Sequence, residues 1–403
     1  MKKTAAVFSW SLYDFANSIF AINIISYHFA LWVTVEKGGS DLLYSSAITI
    51  SIIVSGFLMP GLGAWSDRLR KRIPFLAVMT CLCVAFTAAM GYVSSLMLGL
   101  AFFCVANVAF QTAGVFYNAL LPEISDAKNR GKISGYGVGL GYVGTIIGVI
   151  VAKPFLNAGG HQATFVPTAV LFLVGALPCL LFIKEPGTGE SQLRLSYTLK
   201  DFKNALARIK GVPGGVVLLW CAFLAFNAVS AINVFMSVYA QKIIGLKPDE
   251  MHWFIILSTV FAILSALAFG QITDKRGSHF AMRLTLAFWA LTMVLAATSF
   301  SPGVLWVVGP LAGTCFGAIW VCSRTLIIEM FPEEVIGEVF GIFGLVGRIS
   351  AIVGPMVWAL TTLVFSRINA PEMGYRIAVM TLVGYMCVAA VLFRKIPDSR
   401  VKA

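Results

Sequence analysis

Stretches of roughly 20 or more apolar residues, interrupted by short polar turns, fill nearly the whole of this chain. A helix needs about 20 such residues to cross a hydrocarbon core about 30 Å thick. Inside a bilayer every backbone polar group must find its partner within the structure, so helices and closed barrels are the available solutions. No alternation of apolar and polar residues of the kind a barrel needs runs through the sequence. The runs place spans at 7–33, 44–65, 74–94, 97–121, 133–156 and 164–183, then at 213–242, 250–272, 280–300, 304–330, 337–365 and 374–394. Charged residues make up 12% of the 403, against the roughly 25% usual in soluble proteins. Twelve membrane helices are therefore expected.

The spans fall into two sets because landmarks recur. Gly63-Ala-Trp-Ser-Asp67-Arg68-Leu-Arg70-Lys71-Arg72 returns about 207 residues later as Gly270-Gln-Ile-Thr-Asp274-Lys275-Arg276-Gly277. Ala21-Ile22-Asn23 returns as Ala231-Ile232-Asn233, and Leu121-Pro122-Glu123 as Phe331-Pro332-Glu333. One six-helix module used twice in parallel order is an arrangement shared by many secondary transporters. The expected domains are a bundle over 1–183, a connection over 184–212 and a second bundle over 213–403. In the connection Leu195, Leu199, Phe202, Leu206 and Ile209 recur at helical spacing among basic residues, the pattern of an amphipathic helix lying on a membrane surface.

The net charge of +12 is a statement about topology. About 22 of the 30 Lys and Arg fall in the tails and in the loops after even-numbered spans, which by the positive-inside rule puts both termini in the cytoplasm. Nucleic-acid binding is excluded as the reading of that charge. The eight Cys are scattered through apolar segments with no metal or disulfide spacing. The first apolar run is too long for a signal peptide and contains Asp14 and Asn17, so it reads as a retained span.

The loop Gly63–Arg72 resembles the cytoplasmic loop signature of the major facilitator superfamily, G-x-x-x-D-[RK]-x-G-x-[RK], with Arg70 where the family has its second Gly. The resemblance implies the major facilitator fold, an all-α membrane protein of twelve transmembrane helices in two pseudo-symmetric six-helix bundles. It implies a secondary transporter working by alternating access, and a cytoplasmic gate of Gly63, Asp67, Arg68 and Arg72 in one loop with Asp274 and Lys275 in its repeat, in which Asp67 meets the start of the eleventh span and Asp274 the start of the fifth. Glu333 and Glu338 lie in the tenth-to-eleventh loop, which lacks Lys and Arg, and they are the acids expected to meet the basic cluster. A narrower likeness rests on Trp10-Ser-Leu-Tyr13-Asp14-Phe15-Ala16-Asn17-Ser18, similar to the opening of the "unknown major facilitator" group that includes autophagy-related vacuolar amino-acid effluxers. That likeness implies efflux or uptake of amino acids or similar small solutes.

Polar residues inside spans mark where solute and proton would bind. A carboxylate in mid-span costs at least about 2.5–3.5 kcal/mol and usually has a partner or a wet path; Asp14 either binds the proton or a solute amine, or forms a structural pair with a basic residue. Asn17 lies one turn on from it. In the fourth span Asn107, Gln111 and Asn118 share a helix face with Gly114. Asn227 and Asn233 in the seventh span echo Asn17 and Asn23; a six-residue step rotates about 240°, so both members of a pair cannot face one cavity equally. Arg324 and Arg348, inside the tenth and eleventh spans, either bind the anionic group of a solute or sit in structural ion pairs. Gly139-Leu-Gly141-Tyr-Val-Gly144 matches G-x-G-x-x-G without the strand a dinucleotide site needs, so the glycines read as a close helix contact. Gly341, Gly344, Gly347 and Gly354 read the same way, and the four His read as helix-interface residues. No P-loop is present and no catalytic cluster forms, so neither an enzyme nor a cofactor is expected.

The expected protein is a proton-coupled carrier of a small polar solute, monomeric, in a bacterial inner membrane. The alternatives are a carrier of organic anions or lipid-like molecules, and a non-transporting membrane sensor on the same fold.

Overall fold

In the computed structural model residues 3–69, 71–125, 130–183, 206–298, 301–332 and 336–398 are described. Among them twelve helices are long and apolar enough to span: α1 Ala5–Glu36, α2 Asp41–Gly63, α3 Ile73–Met90, α4 Leu96–Ala119, α5 Gly135–Gly159, α6 His161–Phe182, α7 Gly215–Lys242, α8 Pro248–Arg276, α9 Ser278–Ala297, α10 Gly303–Met330, α11 Val339–Arg367 and α12 Pro371–Phe393. No strand occurs among the described residues. The chain is a multi-pass integral membrane protein.

Two compact units form, Met1–Ser196 and Tyr197–Ala403. Their helix maps coincide under a shift of six. In the first unit the main packed pairs are α1 with α5, α1 with α6, α3 with α4, α3 with α6 and α2 with α4. In the second they are α7 with α11, α7 with α12, α9 with α10, α9 with α12 and α8 with α10, joined by α11 with α12. Most of the connection lies outside the described residues. Its end, 206–211, is helical, and Ile209 is buried against Gly215 at the start of α7.

Small residues set the closest contacts, as expected where lipid removes the hydrophobic drive between helices. Along α5 a Cβ on Gly137 would strike Trp10, on Gly141 Ser18, on Gly144 the Phe15 backbone, and on Gly148 Ile19, so α1 lies on a glycine track. Gly135 and Gly139 face open space and are not part of it. In α11 the expectation holds for Gly354, which meets the Asn227 backbone, and fails for Gly341 and Gly344, whose missing Cβ would meet nothing. The spacing Gly309, Gly313, Gly317 in α10, not singled out in the sequence, gives α8 the same close seat against Phe254, Ser258 and Ala262.

α1 is not uniform. After Phe20 it winds as a π-helix over Ala21–Tyr27, returns to α for His28–Leu31, and is π again over Trp32–Glu36. Wide turns displace carbonyls from their usual donors. Tyr44 of α2 supplies one, donating from its hydroxyl to the Ile25 carbonyl at 2.6 Å. Asn23, within the same segment, donates to the Gly148 carbonyl at 3.1 Å and to Thr168 at 3.0 Å. Three neighbouring helices thus hold the π segment.

Both units clamp the start of their third helix to the end of their fourth. Arg72 donates to the Ala119 carbonyl at 2.7 Å and to Glu123 at 2.6 Å. In the second unit Ser278 donates from its hydroxyl to Glu329 at 2.5 Å. A guanidinium at a helix C-terminus also meets the negative end of the helix dipole. Arg72→Ala is expected to lower the thermal midpoint of the detergent-solubilised protein by several degrees, since each charge-assisted bond is worth about 1.5–3 kcal/mol. An unchanged midpoint would refute the clamp.

Candidate functional site

Trp10, Tyr13 and Asp14 lie on one side of α1, where α4 and α5 pack. Trp10 donates from its indole to the Tyr117 carbonyl at 3.1 Å and stacks on the Tyr117 ring at 4.5 Å. Tyr13 also stacks on the Tyr117 ring, at 5.0 Å. Its hydroxyl lies 2.7 Å from Thr80. Because Thr80 already donates to the Leu76 carbonyl, Tyr13 is the donor in that bond. Asp14 is half-buried beside Gly137 and within electrostatic reach of Tyr117. The Tyr117 hydroxyl is buried and makes no hydrogen bond among the described residues. Tyr117 was not singled out in the sequence. The aromatic pair at i and i+3 on α1 was the available signal, because two such rings on one face need a third to close on.

The expected polar stripe on α4 divides. Asn107 is buried and donates to Ser51 of α2 at 2.6 Å, so it joins two helices. Further along, Gln111 is half-buried, Gly114 faces open space and Asn118 is exposed. Asn17 is half-buried, with a side-chain carbonyl that has no partner among the described residues. Asn23 is buried in the bonds described above.

In the second unit Asn227 is buried and donates to the Phe223 carbonyl at 2.7 Å and to Ser350 of α11 at 3.4 Å, whereas Asn233 is exposed. Asn23, Asn107 and Asn227, expected to line a solute path, each donate to a neighbouring helix, and their side-chain carbonyls are buried with no partner among the described residues. Their amide protons hold neighbouring helices together, which in an apolar medium is the cheapest way to satisfy them. Arg324 is exposed on α10, on the face of Trp320 and Ile328, and makes no ion pair or hydrogen bond among the described residues. The Trp320 ring stacks on Phe226 of α7 at 5.5 Å, so this face borders α7. Arg348 is exposed on α11.

Four of the residues expected at the gate can be placed. Gly63 is half-buried on α2, and Asp274 and Lys275 are exposed in the last turn of α8, which ends at Gly277 with φ +90°. The side chains of Asp67, Arg68 and Glu338, and the whole of Glu333, lie outside the described residues. Arg72 pairs with Glu123 of its own unit, and Glu329 is engaged by Ser278. No group of three or more potential metal ligands occurs among the described residues.

The sequence profile of the Major Facilitator Superfamily matches residues 8–355 and, in a second register, 218–403. The chain belongs to the Major Facilitator Superfamily. The second match starts within α7, as a repeated module requires. Among superfamily relatives, an uncharacterized MFS-type transporter of Bacillus subtilis, YxiO, is 24% identical over 88% of this chain and 87% of its own length. The proton-coupled antiporter flippase LtaA of Staphylococcus saprophyticus is 23% identical over 59% of this chain and 58% of its own. The fold is also that of a bacterial homologue of the human lysosomal transporter Spinster, with a TM-score of 0.77 at 15% identity, covering 98% of this chain and 97% of that one. The protein is a superfamily transporter rather than an enzyme.

Proposed function

We propose that this transporter moves a small polar solute bearing an anionic group, an amino acid or a molecule like it, in exchange for or together with protons, by alternating access. The observation that carries the reading is Arg324. A guanidinium within a span is expensive, and its own unit offers it no counter-charge among the described residues. The planar fork of Arg suits a carboxylate bidentately, so a solute that brings one would complete it. Asp14 takes the proton, with Tyr117 beside it. Asn17, Gln111, Asn118, Asn233 and Arg348 are the remaining accessible or half-buried polar side chains on spanning helices that we assign to solute contact. The W-x-x-Y-D-F-A-N-S likeness supports an amino-acid class, and the relative described as a proton-coupled antiporter supports protons as the partner. The charge distribution supports cytoplasmic termini, and the bacterial relatives support a plasma membrane.

A second reading is an organic anion with a long apolar tail, for which an almost wholly apolar hollow of about 20 Å³ in the second unit, lined by Cys221, Phe226, Met282, Ser323 and Phe343 and adjoining Arg324 in sequence, would have to widen.

One experiment separates the two. Proteoliposomes are assayed for flux of amino acids, short peptides, organic anions and acyl-chain amphiphiles, with and without a pH gradient. Gradient-dependent flux of an anionic solute is expected, and Arg324→Gln is expected to lose it at least about tenfold, the cost of one charge-assisted hydrogen bond. Flux confined to amphiphiles favours the second reading. Flux of cationic or neutral solutes unaffected by Arg324→Gln refutes both.

A further inference from the structure

At the end of the first unit remote from Lys3, two histidines meet. The Nδ1 atoms of His28 in α1 and His161 at the start of α6 are 3.0 Å apart, and both rings are buried. The Tyr27 ring covers them, 4.1 Å from His28 and 5.7 Å from His161. His161 is held from behind. Gly160 turns the chain with φ +71°, and the Glu36 carboxylate fills the space a side chain there would need. That carboxylate accepts the His161 backbone N–H at 2.6 Å.

Two imidazole nitrogens at this distance tolerate one arrangement. Two bare lone pairs repel, and so do two N–H groups, so one ring donates and the other accepts. In the neutral pair the acceptor ring carries its hydrogen on Nε2. A proton arriving from water adds to Nε2 of the donor ring, which becomes imidazolium while its Nδ1–H still points at the neighbour. The bond is kept and becomes charge-assisted, hence stronger. A further proton would set N–H against N–H and part the rings.

We propose that His28 and His161 form a one-proton binding site that ties α1 to the corner between α5 and α6. Occupied once, the site tightens that contact; forced to take a second proton, it opens. At this end of the first unit the elements packed around it carry Glu36 of α1, Lys37 just beyond it, Tyr27 itself, Lys153 of α5, and Asp41 and Tyr44 at the start of α2; Tyr13 and Asp14 of α1 and Tyr136 and Tyr142 of α5 lie further along those helices. Glu36 is the anion nearest to hand, through the His161 peptide. Lys37 lies with Nζ 5.4 Å from the Trp32 ring centroid. The stretch Phe165–Phe182 of α6 carries no acid or base apart from Cys179. The site does not depend on which solute is carried or on Asp14.

The test is a titration of the full-length protein in lipid nanodiscs with ¹⁵N-labelled histidine. The chain has 4 His, so H252Q and H279Q identify the two remote signals and leave the pair in place. From about pH 8 to about pH 5, the range over which imidazoles ordinarily charge, the signals of both rings are expected to move together through one step that takes up one proton. H161Q is expected to leave His28 titrating alone with a different midpoint. Two rings titrating independently in the wild type, or neither responding over the range, overturns the proposal. The wild-type result decides the matter even if H161Q fails to fold.

Discussion

Proteoliposomes carrying Asp14→Asn are expected to show pH-driven solute uptake no higher than empty vesicles, with solute exchange in the absence of a gradient preserved. Asn keeps the shape of Asp and its capacity to accept a hydrogen bond but cannot carry a proton to and fro, so coupling is what it removes. Folding is expected to survive, because a carboxylate in a span is a cost, on insertion scales about 2.5–3.5 kcal/mol, that Asn reduces. A thermal midpoint equal to or above that of the wild type, together with lost coupling, assigns the residue to the proton. Retained pH-driven uptake would sink that assignment. A large fall in midpoint would instead show that Asp14 holds α1 to its neighbours.

Gly144→Leu is expected to abolish the folded protein. Any Cβ at that position runs into the backbone of Phe15, and backbone inside a helix has no rotamer by which to yield. Overpacking commonly costs about 1–3 kcal/mol and more when nothing can move. The matched control lies five residues earlier in the same helix. Gly139 faces open space, so Gly139→Ala is expected to leave the protein intact or to stabilise it by up to about 1 kcal/mol through helix propensity. Size-exclusion profiles and thermal midpoints of the two variants check this. Similar behaviour by both would refute the glycine track as the seat of α1.

The twelve spans and their division into two sets were legible because apolar length and repeated landmarks survive any detail of packing. Bounds such as 74–94 against Ile73–Met90 differ by the turn Gly91-Tyr-Val-Ser94, apolar enough to read as a continuation of the span. Side-chain roles were less legible. Spacing put Asn107, Gln111 and Asn118 on one face, but it carries no information on which position along that face finds a polar partner on a neighbouring helix. The bond to Ser51 is what separates Asn107 from the others. Arg72 read as a partner for a distant loop because charge pattern has no range, and that pattern carries no sign of its bond to Glu123, two helices on in the same unit. Gly309, Gly313 and Gly317 went unremarked because four-residue steps of small residues are common in membrane helices, and only the partner surface distinguishes a seat from a gap.

The change of winding after Phe20 has a consequence for anyone mapping the first span by substitution. A helical wheel drawn at 3.6 residues per turn from Asp14 goes out of phase across the wide turns, so positions beyond Tyr27 belong to a different wheel. Scanning data from the two ends have to be indexed separately, and Asn23, pinned to Gly148, marks where one frame gives way to the other.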